Sequence, residues 1–433
     1  MTALPILLPT TAQALGPIVP LAGRTGPSPR RVLVLTAGYG EGHNAAARNL
    51  AAALDAEAGP GTAHLADLFT LGSPRLNALA RHGYLTAINR TPRLWSAFFA
   101  WIDRARPLPR SLWLLHREQA VLTRLLRETA PIAVCSTYPV YGFMLDALSE
   151  SGELCVPHYN IVTDSISINS LWWLPRCTGW FVPNPDSAAV VLAAGIAPER
   201  IHTNGFPVPA LFGEENPALQ PPNLAAGHAP RVLYIINSGT RQAEATARRL
   251  LAESEWEITC TVGRNLGLRR RLQQLAARRR TPANILGWTD QIPRLLLTHH
   301  AVISKAGGAT TQEAIAARCP MIVNQIVPGQ EEGNCELLRR HGIGAYAPTP
   351  EAVITTLRNA FANQGAVWHD WRRGLEPLAR PHAARDIARH VLAATAPTAV
   401  PATPAAAPAL VPPRGHFHVL SENALRPTLP RHG

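Results

Sequence analysis

A single lysine, Lys305, stands among the 41 basic residues of this 433-residue chain, and all the others are arginine. Codon bias accounts for such a skew. No stretch resembles an RNA- or DNA-binding motif, so nucleic acid is not an expected partner despite a formal charge of +12. An anionic membrane surface is the other polyanion this charge would attract. The six cysteines, Cys135, Cys155, Cys177, Cys260, Cys319 and Cys335, form no C-x-x-C pair and no zinc spacing. That argues against a disulfide framework or a metal site and fits a reduced, cytoplasmic setting. No apolar run is long enough to span a bilayer. Met1 to Pro29 lacks early Lys or Arg and is broken by prolines, which reads as a floppy leader and not a signal peptide.

What is present is an α/β pattern. The short apolar run Val32 to Leu35 empties into Gly38, Gly40 and Gly42, the signature of a buried parallel strand followed by a turn in which no Cβ blocks a ligand. A helix is expected from about His43. The turn departs from a dinucleotide fingerprint at its last position, where His43 replaces glycine, and it lacks the Lys-Ser/Thr of a P-loop. An imidazole held at the carboxyl end of a strand is a candidate for chemistry.

Further strands are expected at Ile132–Val134, His158–Thr163 and Trp180–Val182. After a loose stretch from Pro207 to Pro230 the pattern restarts at Arg231–Ile236 and continues through Glu257–Val262, Asn284–Leu286, Ala301–Ser304 and Met321–Val323. Two doubly wound units facing each other across a cleft follow from this alternation. The expected boundaries are a disordered leader over 1–29, a first domain over 30–212, a second over 228–375, a helix over 376–394 and an Ala/Pro-rich disordered tail over 395–433. Arginines 269–271 and 278–280 are read as the solvated face of a helix from Leu268 to Arg280.

The stretches "GYGEGHNAAA", "GIAPERIHTNGFPV", "TVGRN" and "ISKAGGATTQEAIAARCPMIVNQIVPGQEEGNCELL" together resemble glycosyltransferase family 28. The match is to its monogalactosyldiacylglycerol synthase and processive diacylglycerol glucosyltransferase branch. The resemblance runs from Arg31 to about Ala360 and implies a GT-B fold of two Rossmann-like domains. It also implies inverting, metal-independent transfer of a hexose from a UDP-sugar to diacylglycerol or a related lipid, with no cofactor beyond the sugar-nucleotide substrate. No Asp-x-Asp metal motif occurs.

Carried over residue by residue, the donor set is Gly42, Ser238, Gly239, Gly263, Arg264, Asn265, Lys305, Gly307, Gly308, Thr310, Glu313, Gln330, Glu331 and Asn334. Gly307 and Gly308 before a helix suit a diphosphate, and Glu313, a turn later, suits ribose hydroxyls. His43 is the expected base and Asp164 its support.

Tyr39, Trp95, Trp101, Asn169 and Trp172 are expected on the acceptor or membrane side. Two positions depart from the branch: Asn169 stands where it has histidine, and Thr178 where it has aspartate. A noncatalytic nucleotide-sugar or glycolipid-binding descendant is therefore an alternative, and a UDP-sugar 2-epimerase a more distant one. Between Tyr84 and Arg117 the chain mixes Trp95, Phe98, Phe99, Trp101 and Trp113 with Arg90, Arg93, Arg104, Arg106 and Arg110, the composition of an interfacial, basic amphipathic segment. A peripheral place on the inner face of the cell membrane is expected.

Overall fold

The computed structural model describes residues 30–90, 112–236, 241–327 and 331–395. The leader and the tail, Trp95, Trp101, Ser238, Gly239 and Gln330 lie outside the described residues.

In the first half, strands β1 (Val32–Thr36), β2 (Ala63–Asp67), β3 (Ala133–Ser136), β4 (His158–Ile161), β5 (Gly179–Phe181) and β6 (Ile201–His202) form one sheet in the order β2-β1-β3-β4-β5-β6. Every pairing is parallel. The helices of this half are α1 (Glu41–Ala58), α2 (Leu68–Gly72), α3 (Pro74–Arg90), α4 (His116–Thr129), α5 (Pro139–Glu150) and α6 (Pro185–Ala193). Helix α1 starts two residues earlier than the sequence suggested, because Gly40 already stands in the extended N-cap conformation.

The second sheet has the order β12-β11-β10-β7-β8-β9. Its strands are β7 (Arg231–Ile235), β8 (Glu257–Thr261), β9 (Ala283–Leu286), β10 (Ala301–Lys305), β11 (Met321–Gln325) and β12 (Gly344–Tyr346), again all parallel. Helices α7 (Arg241–Ala252), α8 (Leu266–Ala276), α9 (Ile292–Thr298), α10 (Gly308–Ala316), α11 (Glu332–His341) and α12 (Pro350–Leu375) belong to it. The last helix, α13 (Ala383–Ala394), returns to the first sheet, where Ile387, Ala388 and Val391 pack with Val32, Val34 and Leu50. Two parallel sheets, each with its own helices, face each other across a cleft, and this is the GT-B arrangement.

Two expectations change. The stretch from Pro207 to Pro230 is not loose: Val208, Phe212 and Leu219, with Phe206 just before them, are buried against Leu233 and Ala314 in the second core. Asn216 and Asn223 cap short 3-10 turns within it. Helix α8 ends at Ala276, so the second arginine group lies beyond it. Arg279 is no solvated residue, since it donates to the carbonyls of Glu253 at 2.9 Å and Trp256 at 2.6 Å, tying the α7–β8 turn to the chain before β9.

Candidate active site

The glycine turn is held from the neighbouring strand. Asp67, at the end of β2, accepts the Gly38 N–H at 3.1 Å through one carboxylate oxygen and caps α2 at Thr70 through the other. This fixes the start of α1 and with it His43. The ring nitrogen Nδ1 of His43 lies 2.7 Å from the Thr137 carbonyl oxygen and 3.0 Å from Thr163 Oγ1. A carbonyl only accepts, so Nδ1 carries the proton and the lone pair of the neutral ring sits on Nε2. Tyr138 meets the ring edge-on at 5.1 Å.

Burial pushes the His43 pKa below its ordinary value, against the opposing pull of the Asp164 charge and the Thr137 hydrogen bond. The imidazole is therefore neutral over a wider pH range than a free one. Asp164 is raised by burial, an effect moderated by His43 and by Trp172. Its Oδ2 accepts the Trp172 indole N–H at 2.7 Å. Asp164 thus acts on His43 through charge, whereas the hydrogen bonds that orient the ring come from Thr137 and Thr163.

Trp172 is fully buried, standing behind Asp164. Asn169 is buried too, and its side-chain oxygen caps the next turn at Leu171, 3.0 Å away. Thr178 accepts the His158 N–H at 3.0 Å at the amino end of β4, the opposite end of the sheet from His43. Only Asn169 of the two departures therefore lies on the segment beside His43. Tyr39 packs between Phe69 and Tyr138 at centroid distances of 5.4 and 6.0 Å, forming an aromatic wall next to His43.

The second half brings its own glycine turn opposite. Helix α10 starts at Gly308 after the N-cap Gly307, and neither it nor α1 has a side-chain cap. The two amino ends meet: a Cβ on Gly42 would lie 3.8 Å from the Ala309 nitrogen, and one on Gly308 would lie 3.1 Å from the Thr163 carbonyl oxygen. Two helix amino ends without side-chain caps converge on one place, which favours an anion.

Around it, Lys305 forms an ion pair with the buried Glu331, which also accepts the Val327 N–H at 3.0 Å. Asn334 donates to the Ala306 carbonyl at 2.9 Å, and its side-chain oxygen is buried without a partner. Thr310 lies in the first turn of α10. Glu313, one turn on, has its pKa pushed up to about 7 by burial and by the nearby charge of Glu41, with Arg48 opposing.

Gly263 and Arg264 line a groove of about 460 Å³ with Leu266, Arg269 and Trp288. Gly263 needs its glycine, with φ at +55°. Asn265 caps α8 at Leu268, 3.0 Å away. Trp288, 68% exposed, went unremarked in the sequence because a lone tryptophan after glycine carries no periodic signal. Asp67, Thr137 and Thr163 were missed for another reason: each stands at or just past a strand end, and only the sheet order brings them to the histidine.

The halves also touch through the segment that follows β4. Gln312 donates to Ser165 Oγ at 2.7 Å, and a Cβ on Gly333 would collide with the Ser165 carbonyl oxygen. Ile166 has φ at +56°, a left-handed conformation that costs a β-branched residue about 1–3 kcal/mol. Among the described residues no helix is long and apolar enough to cross a membrane, and no group of three or more His, Cys, Asp or Glu is arranged to hold a metal ion.

Residues 43–208 match the profile of the monogalactosyldiacylglycerol (MGDG) synthase family. The processive diacylglycerol β-glucosyltransferase of Bacillus mycoides is 24% identical over 374 residues, covering 84% of this chain and 93% of the relative. Among solved structures, Os79 from O. sativa in complex with UDP superposes with a TM-score of 0.53 at 12% identity, over 84% of this chain and 100% of that one. MurG of Acinetobacter baumannii gives 0.53 at 14% identity, over 84% and 100%. At those identities the two structures speak for the fold alone. The family profile and the sequence relatives support a family 28 type of glycosyltransferase, close to the monogalactosyldiacylglycerol synthases and processive diacylglycerol glucosyltransferases.

Proposed function

We propose that the protein transfers a hexose from a UDP-sugar to diacylglycerol or a related membrane lipid, by direct displacement with inversion. The observation that carries this reading is the meeting of two uncapped helix amino ends beneath a histidine whose Nε2 is left as the base. The diphosphate would lie at the α1 and α10 amino ends, where N–H groups and Lys305 offset the charge that develops as UDP leaves. His43 Nε2 would take the proton from the acceptor hydroxyl as its oxygen attacks the anomeric carbon. Asp164 would stabilise the imidazolium so formed. Asn334, with its unpartnered oxygen, and Glu331 would contact sugar hydroxyls; Glu313 would hold the ribose.

The groove beside Gly263 and Arg264 suits the base, with Trp288 as a stacking face. Trp288→Ala is expected to weaken UDP binding by about 1–3 kcal/mol, the range for one base stacked on one aromatic ring. Calorimetric titration with UDP measures this, and an unchanged dissociation constant would move the base elsewhere.

On the acceptor side, Leu71, Leu76 and Leu79 are 40%, 65% and 69% exposed on α2 and α3, near the aromatic wall of Tyr39, Phe69 and Tyr138. Such a surface suits contact with lipid, and the arginine excess favours the anionic inner leaflet. The test is incubation with diacylglycerol-bearing liposomes and a panel of radiolabelled UDP-sugars. Label entering the lipid phase, more with anionic vesicles and less at high salt, is the expected result. UDP binding without transfer of any sugar would favour the glycolipid-binding alternative that Asn169 raises.

A further inference from the structure

The loop from Thr163 to Ser167 is held from both sides. Toward the first half, Thr163 Oγ1 lies 3.0 Å from His43 Nδ1 and Asp164 is bonded to Trp172. Toward the second, Ser165 accepts from Gln312 of α10, and the backbone at Ser165 and Ser167 fills the space where Gly333 of α11 would carry a Cβ. Between these attachments stands Ile166. Its side chain packs against the core of the second half, and its backbone is in the left-handed region at φ +56°. A Gly or Asn would adopt that φ with less strain. The position instead holds a β-branched residue whose apolar side chain reaches into the opposite half.

We infer that Ile166 is a positioning residue: anchored in the donor half, it holds the adjoining Thr163–Asp164 pair against His43 and so aligns the base only when α10 and α11 are seated on the loop. Contact between the halves and readiness of the base are then one event. A base exposed while the halves are apart would stand beside water with no donor in place, and this coupling avoids that state.

The groups acting on the imidazole are the Asp164 carboxylate, the Thr137 carbonyl and the Thr163 hydroxyl; Tyr138 and Trp172 complete its surroundings. Asp164 raises the affinity of His43 for its proton. Loosening the anchor would therefore shift the His43 pKa, because it moves Asp164 and lets water reach a ring whose burial is the larger cause of its lowered value.

Ile166→Ala and Ile166→Val are the variants, each tested in the full chain with a thermal melt to establish folding. The His43 ring is titrated by NMR, which needs no turnover. The kinetic arm rests on the transferase reading above. For Ile166→Ala the expected outcome is a shifted His43 pKa and a kcat reduced by about tenfold or more at near-constant KM for the UDP-sugar, with Ile166→Val restoring most of both.

A folded Ile166→Ala whose His43 titration matches wild type overturns the inference, leaving Ile166 as packing alone. So does equal loss in the Ala and Val variants. If wild type transfers no sugar but the NMR shift is present, the transferase reading fails while the coupling stands.

Discussion

His43→Ala is expected to cut transfer to lipid about 10²–10⁴-fold, the usual contribution of a positioned general base. UDP affinity should change by no more than about threefold, because the proposed base and ribose contacts lie in the other half of the molecule. The two measurements must be made on the same folded variant. The tautomer argument sharpens the expectation: with Nδ1 committed to the Thr137 carbonyl, only Nε2 can accept a proton, and a glutamine at this position cannot replace it at neutral pH. Because burial lowers the His43 pKa, the acidic limb of the wild-type kcat profile should lie below that of an ordinary histidine. Transfer persisting within a few fold of wild type would remove His43 from the mechanism. Collapse of UDP affinity would instead mean that the His43 side chain itself holds the donor.

Much of this frame is readable from the chain, because a buried parallel strand has to be continuously apolar. Val32–Leu35, Val232–Ile236 and Ala301–Ile303 are such runs, each followed within a few residues by glycine in the sequence. Strand β2, Ala63–Asp67, gave no such signal: it is an edge strand whose first three residues are only partly buried. Its last residue nevertheless anchors the glycine turn. What holds the imidazole was illegible for the same reason, since Thr137 and Thr163 lie 94 and 120 residues from His43. The departures at Asn169 and Thr178 read as one acceptor-side change in the sequence. The sheet separates them, putting Thr178 at the amino end of β4 and Asn169 on the segment that follows its carboxyl end. Arg279 shows the opposite failure, a charge that composition assigns to solvent but that caps three carbonyls at the α7–β8 turn.

Glu313→Gln should change stability and ligand affinity in opposite directions. The folded-state pKa of Glu313 is pushed up to about 7, chiefly by burial, whereas the unfolded chain releases the same proton near the ordinary value of about 4.5. Between those values the folded protein holds a proton that the unfolded one has lost, so this group makes stability fall as pH rises through the window. The full cost is reached above about pH 7 and is on the order of 3 kcal/mol. Glutamine, the neutral analogue of the protonated acid, removes it. The variant should therefore melt higher than wild type at pH 8 and nearly together with it at pH 4.5. Ribose binding asks for the reverse, since an ionised carboxylate accepting from two hydroxyls is worth about 1.5–3 kcal/mol more than nothing. Wild-type UDP affinity should consequently rise as pH passes 7, as binding draws the proton off Glu313, while the Gln variant binds more weakly and shows no such rise. Calorimetry with UDP at several pH values, beside thermal melts, reads both effects. A variant that is less stable at pH 8, or one that binds UDP like wild type throughout, would mean that Glu313 serves the α1–α10 contact and that the ribose is held elsewhere.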